Sequence, residues 1–150
     1  MSSEYSFDDV ITPSLTLEPE LELVMVDETD TVVGYCMFSR FRLEGKHENE
    51  LLILTPVAVK TSLQRRHISK ELIEYGFEKA AAMGFKAVIV EGNPRNYRSR
   101  GFVTSQLFGI TAQESVGLPA PECLMVKELV SGGLEGICGK VGYGDYRSLQ

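Results

Sequence analysis

The segment Val59–Gly92, VKTSLQRRHISKELIEYGFEKAAAMGFKAVIVEG, decides the fold. Ile68, Leu72, Ile73, Gly76, Phe77 and Ala80 recur at helical spacing, while Lys70, Glu71, Glu74, Glu78 and Lys79 take the opposite side. That pattern predicts an amphipathic helix, and Gly84 is placed to end it. Before it stands LLILTPVAV, Leu51–Val59, a nearly continuous apolar run expected of a strand covered on both faces. After it stands KAVIVEG, Lys86–Gly92, a second short buried strand. Strand, helix and strand in this order make a βαβ unit, with a parallel pair and a right-handed crossover. Pro56 cannot donate to a ladder, so a bulge or a divergence of the neighbouring strand is expected there.

Outward from this unit the pattern turns antiparallel. LELVMV, Leu21–Val26, and TVVGYCMFSRFRL, Thr31–Leu43, flank a turn to which Asp30 lends its chemistry, and together they predict a hairpin. In NPRNYRSRGF, Asn93 reads as a helix N-cap, Pro94 as the first helical residue and Gly101 as the stop, which leaves one or two turns of helix. FVTSQLFGI and CLMVKELV are further strand candidates, and the glycine-rich tail from Ser131 reads as turns with at most a weak strand. The first twenty residues, polar and acidic with Pro13 and Pro19, read as an arm. The expected architecture is one mixed α/β domain over residues 1–150, with an arm at 1–20 and a core at 21–150.

With 43% hydrophobic and 24% charged residues over 150 positions, the chain is composed to bury a core of its own. A formal net charge of −6 argues against nucleic acid as a partner, because such binding relies on a basic surface. No membrane partner is expected, since no window has the length of an apolar span and the N-terminus has no basic-then-apolar leader; the expected location is the cytoplasm. Cys36, Cys123 and Cys138 lie far apart and outside any C-x-x-C pair, so ordinary thiols are expected, with no metal site. His47 reads as an exposed loop residue.

A helix that follows a buried strand offers unpaired N–H groups and a partial positive charge, a suitable place for phosphate. The turn Gln64-Arg65-Arg66-His67-Ile68-Ser69 occupies that place and adds two arginines, though it has no glycine. On charge and position alone, a solvated basic helix start and an anion cradle both fit it.

The run LTPVAVKTSLQRRHISKELIEYGFEKAAAMGFKAVIVEGNPRNYRSRGF resembles the cofactor-binding half of the GNAT N-acetyltransferase superfamily. Gln64 matches the first position of that family's Q/R-x-x-G-x-G/A turn, and GNPRNYRSRGF resembles the G-[DN]-P-x-x-Y...GF segment of a bacterial subset. The resemblance implies a GNAT-like, mainly antiparallel sheet with a βαβ core, and acetyl-CoA as cosubstrate. It implies that Val57, Ala58 and Val59 pair with the pantetheine arm and that Gln64, Arg65, Arg66, His67, Ile68 and Ser69 hold the pyrophosphate, with Asn93 also in the cofactor-binding set. It further implies that an amine, of a small molecule or a protein, attacks the thioester directly while Tyr97 protonates the departing thiolate. A phenol near pKa 10 suits a thiolate whose own value is about 8.5.

Two departures stand out. His67 and Ser69 occupy positions where the family has glycine and glycine or alanine, and glycine serves such turns by letting backbone approach phosphate. Only about twenty residues precede Leu21, where the family's first strand and two helices normally stand, so the resemblance implies a fold lacking them, open on the acceptor side or completed by a second copy in a homodimer. A non-catalytic CoA-binding or regulatory module and a cofactor-free interaction domain are therefore alternatives to the transferase. No general base is evident: Glu50 and Glu91, at strand ends, are the candidates.

Overall fold

The computed structural model of the chain describes residues 19–47, 49–59 and 68–142. Its main sheet has six strands in the order β1-β2-β3-β4-β7-β5. β1 (Pro19–Val26), β2 (Val32–Arg40) and β3 (Leu51–Val59) form an antiparallel meander. The β1–β2 turn is tied by Asp27, whose carboxylate accepts from the Thr29 and Thr31 amides at 2.8 and 3.1 Å, while Asp30 takes a left-handed φ of 61°. Both aspartates therefore shape a turn that Asp30 alone is expected to make.

The chain then forms α1 (Ile68–Ala82) and returns as β4 (Ala87–Glu91), parallel to β3. Gly84, at φ 96°, turns the chain out of the helix. The single crossover of the expected βαβ unit is thus present, set in an otherwise antiparallel sheet. α2 (Pro94–Tyr97) follows with Asn93 as its N-cap, the Asn93 oxygen accepting from the Arg95 amide at 2.9 Å. A 3-10 turn over Arg98–Arg100 then ends at Gly101. β5 (Val103–Thr104), β6 (Ile110–Ala112), β7 (Leu124–Glu128) and β8 (Gly139–Val141) complete the chain of elements.

Two expectations are corrected here. FVTSQLFGI is not one strand: Ser105–Phe108 winds into a 3-10 turn closed by the Ser105 hydroxyl donating to the Ile110 carbonyl at 2.7 Å. Gly109, at φ 74°, then redirects the chain into β6. The tail also holds a definite strand, because β8 pairs in parallel with β6 in a second, two-stranded sheet.

Alternation along the strands divides the core. Leu52, Leu54, Val88, Val90 and Met125 point to the α1 side and meet Leu72, Ile73 and Ala80. Leu51, Ile53, Ala87, Ile89 and Val126 point to the other side and meet Ile110, Leu134, Ile137 and Val141. β3 and β4 are therefore apolar on both faces because both faces are covered.

α1 approaches β2 closely at Gly76, where an added Cβ would stand 2.2 Å from Cε1 of the buried Phe38 ring. We predict that Gly76→Ala, although it favours the isolated helix, destabilises the protein by about 1–3 kcal/mol through overpacking. Denaturant unfolding measures this directly; a stability equal to or above wild type would contradict the packing account.

Candidate active site

β3 and β4 separate part-way along their length. Their ladder has three pairs, Leu51↔Ala87, Leu52↔Val88 and Ile53↔Ile89, and ends there. β3 runs on to Val59 paired only with β2, through Phe38↔Leu54, Cys36↔Val57, Tyr35↔Ala58 and Gly34↔Val59. The β2–β3 register shifts between Cys36 and Phe38, so Thr55 and Pro56 together oppose Met37 as a bulge. Pro56 thus sits at a bulge and beside a divergence, the two outcomes its missing N–H leads one to expect. From Leu54 onward the edge of β3 that faces β4 has no partner strand among the described residues.

The opening is bordered by α2. Tyr97 ends this helix and folds back over Gly92, where an added Cβ would stand 2.7 Å from its ring. Its ring packs edge-on against Phe102 at 5.6 Å, Phe102 against Phe77 at 5.6 Å, and Phe77 against Phe38 at 6.2 Å. A file of aromatic rings therefore runs from the sheet through α1 to Tyr97, each edge-to-face pair contributing about 0.5–1.5 kcal/mol beyond its buried area. Burial raises the Tyr97 phenol above the ordinary tyrosine value, and the Arg100 cation opposes the rise. Tyr97 packs against the buried cluster that includes Cys36, the β2 residue opposite Val57. Cys36 itself is fully buried, and desolvation pushes its thiol up to about 12, so it is neutral and unsuited to nucleophilic work.

The other expected site residues divide by position. Val57, Ala58 and Val59 form the free-edged end of β3, and Ile68 and Ser69 open α1. Asn93 stands at the opening's rim, its side-chain oxygen committed to the α2 cap. Gln64, Arg65, Arg66 and His67 lie outside the described residues, as does the expected arm over 1–20 up to residue 18, whereas Pro19 and Glu20 belong to β1.

Glu50 and Glu91 have different fates. Glu50 precedes Leu51, at the end of β3 remote from the opening, where its carboxylate meets His47 Nδ1 at 2.8 Å and Lys86 Nζ at 2.9 Å. Hydrogen bonds from His47 and then Lys86 hold its pKa below the usual glutamate value. It fastens the start of β3 to the start of β4 and is too far along the strand to serve the opening. His47, expected to be an exposed loop residue, is half-buried, paired with Glu50 and in a left-handed φ of 67°. Glu91 is exposed at the end of β4, beside the opening. Among the described residues, no group of three His, Cys, Asp or Glu side chains is placed to hold a metal ion, and no helix is long and apolar enough to cross a membrane.

Two variants test this geometry. Glu50→Gln should leave turnover unchanged and cost less than about 1 kcal/mol, because the cluster is partly open to solvent and screened. Its contribution is present above the unfolded glutamate value of about 4.3 and fades as pH falls through the lowered folded value, so wild type and variant should converge in acid. Gly92→Ala should drive the Tyr97 ring from its seat, seen as displaced Tyr97 ring resonances and a loss of about 1–3 kcal/mol; unmoved resonances would contradict the contact.

Comparison with known proteins follows the same line. The model of the acetyltransferase (GNAT) family matches residues 2–109. The chain is 25% identical over 127 residues to an uncharacterized N-acetyltransferase, YhbS, of Escherichia coli K12, a match covering 84% of this chain and 73% of the relative. The crystal structure of Escherichia coli YhbS in complex with CoA shares the fold, at a TM-score of 0.77 with 23% identity, over 87% of this chain and 70% of that one. A GNAT family acetyltransferase from Brucella melitensis, solved with acetyl-CoA, is similar at a TM-score of 0.52 and 28% identity over 55% of this chain and 53% of that one.

Proposed function

Because this chain belongs to the acetyltransferase (GNAT) family, we propose that it transfers an acetyl group from acetyl-CoA to an amine by direct attack, at the opening between β3 and β4. The observation that carries this reading is the ladder that stops at Ile53↔Ile89 while β3 continues. The unpaired edge beyond Leu54 offers backbone donors and acceptors to an extended, amide-bearing arm, as a sheet edge does to an added strand. α1 begins soon after this edge, and its first-turn N–H groups favour an anion. Both features fit the pantetheine and pyrophosphate of CoA, and the structural relatives bound to CoA and acetyl-CoA support the choice of cosubstrate.

In the proposed step the amine nitrogen forms a bond to the acetyl carbonyl carbon, and the carbon–sulfur bond breaks. The electron pair of that bond leaves on sulfur, which takes a proton from the Tyr97 hydroxyl. The nitrogen sheds one proton to solvent, and Tyr97 is restored from solvent. Tyr97 suits the task because burial keeps its phenol protonated beyond the ordinary tyrosine range. Neither Glu50, at the wrong end of β3, nor the buried Cys36 thiol enters the step.

The test is acetyl-CoA titration by calorimetry, followed by thiol release with a panel of amines. Tyr97→Phe should lower kcat about 100-fold, the low end for a positioned acid, with acetyl-CoA affinity retained. In the wild type, an acid that must stay protonated puts the falling limb of kcat above pH ~10, the ordinary tyrosine value. Binding without thiol release, with indifference to Tyr97→Phe, would replace the enzyme by a CoA-binding module.

A further inference from the structure

A second site lies on the face of the sheet away from α1. The chain between β5 and β7 lines an open cavity of about 350 Å³, whose lining includes Gln106, Thr111, Gln113, Glu114, Leu118 and Leu124. Leu124 is the first residue of β7 and pairs with Glu91, the last residue of β4, so the cavity adjoins the end of the sheet at which β3 and β4 part. The Leu124 side chain belongs to the core opposite α1. Tyr97 packs against the core on the α1 side, so it and the cavity lie on opposite faces of the sheet. Most of the lining follows residue 109, where the match to the family model ends.

The chemistry of the lining selects a ligand class. Leu118 and Leu124 supply apolar surface, Gln106, Thr111 and Gln113 supply neutral donors and acceptors, and Glu114 is the single ionisable residue among those lining it. The volume is at the small end for ligand sites, which suits a small molecule.

We propose that this cavity receives the acceptor, and that the acceptor is a small molecule with at least two basic nitrogens. The inference rests on the acetyltransferase reading above. A nitrogen must be unprotonated to attack the thioester, so the group that is acetylated cannot also be the cation held by Glu114. A carboxylate in this position recognises a second nitrogen, one that stays charged through the reaction, while the leucines take the methylene chain between the two.

The test uses the full chain and follows backbone amide resonances during titration with 1,4-diaminobutane and, separately, with n-butylamine. Saturable shifts are expected in residues 111–117, with the diamine binding at least tenfold more tightly than the monoamine. Glu114→Gln should remove that preference and Glu114→Lys should reverse it; because Glu114 is exposed, both should fold. Equal binding of the two amines, or a diamine preference that survives Glu114→Gln, overturns the proposal. Acetyl-CoA titration of the same proteins separates the two readings: loss of acetyl-CoA binding in wild type defeats the acetyltransferase account, whereas normal acetyl-CoA binding with no diamine preference defeats the cavity alone.

Discussion

Everything in this protein turns on a parallel ladder only three pairs long. Leu51↔Ala87, Leu52↔Val88 and Ile53↔Ile89 join the β1–β2–β3 meander to the β4–β7–β5 half of the sheet. A parallel pairing requires a crossover, and the crossover is α1, so the same constraint that joins the halves also brings a helix N-terminus back to the end of β3. Where the ladder stops, β3 passes from a buried structural strand to a free edge, and the bulge at Thr55–Pro56 coincides with that change. The side chains Leu51 to Leu54 are committed to two cores, and the backbone beyond them pairs, among the described residues, with β2 alone.

Side-chain position at the opening is governed by space as much as by attraction. Gly76 lets Phe38 approach α1, and Gly92 lets Tyr97 fold back on the end of β4. Between these two glycines the rings of Phe38, Phe77, Phe102 and Tyr97 stand in edge-to-face sequence. The place of Tyr97 is therefore set by the hydrophobic core rather than by a chain of polar contacts, and a phenol held this way is dry enough to stay protonated.

The local grammar of the sequence carried much of this. The period of α1, the Asn93-Pro94 start and Gly101 end of the short helix, and the two-faced apolar run of β3 all have local causes and are found where the residues place them. The consequences of Pro56 were also legible, since a missing N–H must show itself in a ladder. What escaped depended on partners distant in sequence. FVTSQLFGI has strand-like residues, but the Ser105 hydroxyl capturing the Ile110 carbonyl bends it into two pieces. β8 is too glycine-rich to read as a strand and exists because β6 pairs with it. Glu50 could be weighed as a base only until its partners His47 and Lys86 were known. The cavity beside Glu114 is lined by residues of one stretch, 105–124, but depends on how that stretch folds back on itself and so gives no periodic signal.

The pairing of β6 with β8 also sets an order of assembly. Local contacts between β3, α1 and β4 can form as soon as residue 91 has left the ribosome. The Gln113 amide, by contrast, donates to the Val141 carbonyl, and Ile110 meets Gly139 across the ladder, so the stretch leading to Glu114 gains these ties only when residues 139–141 are made. During synthesis the β3–α1–β4 unit is thus complete before the β6–β8 sheet can form.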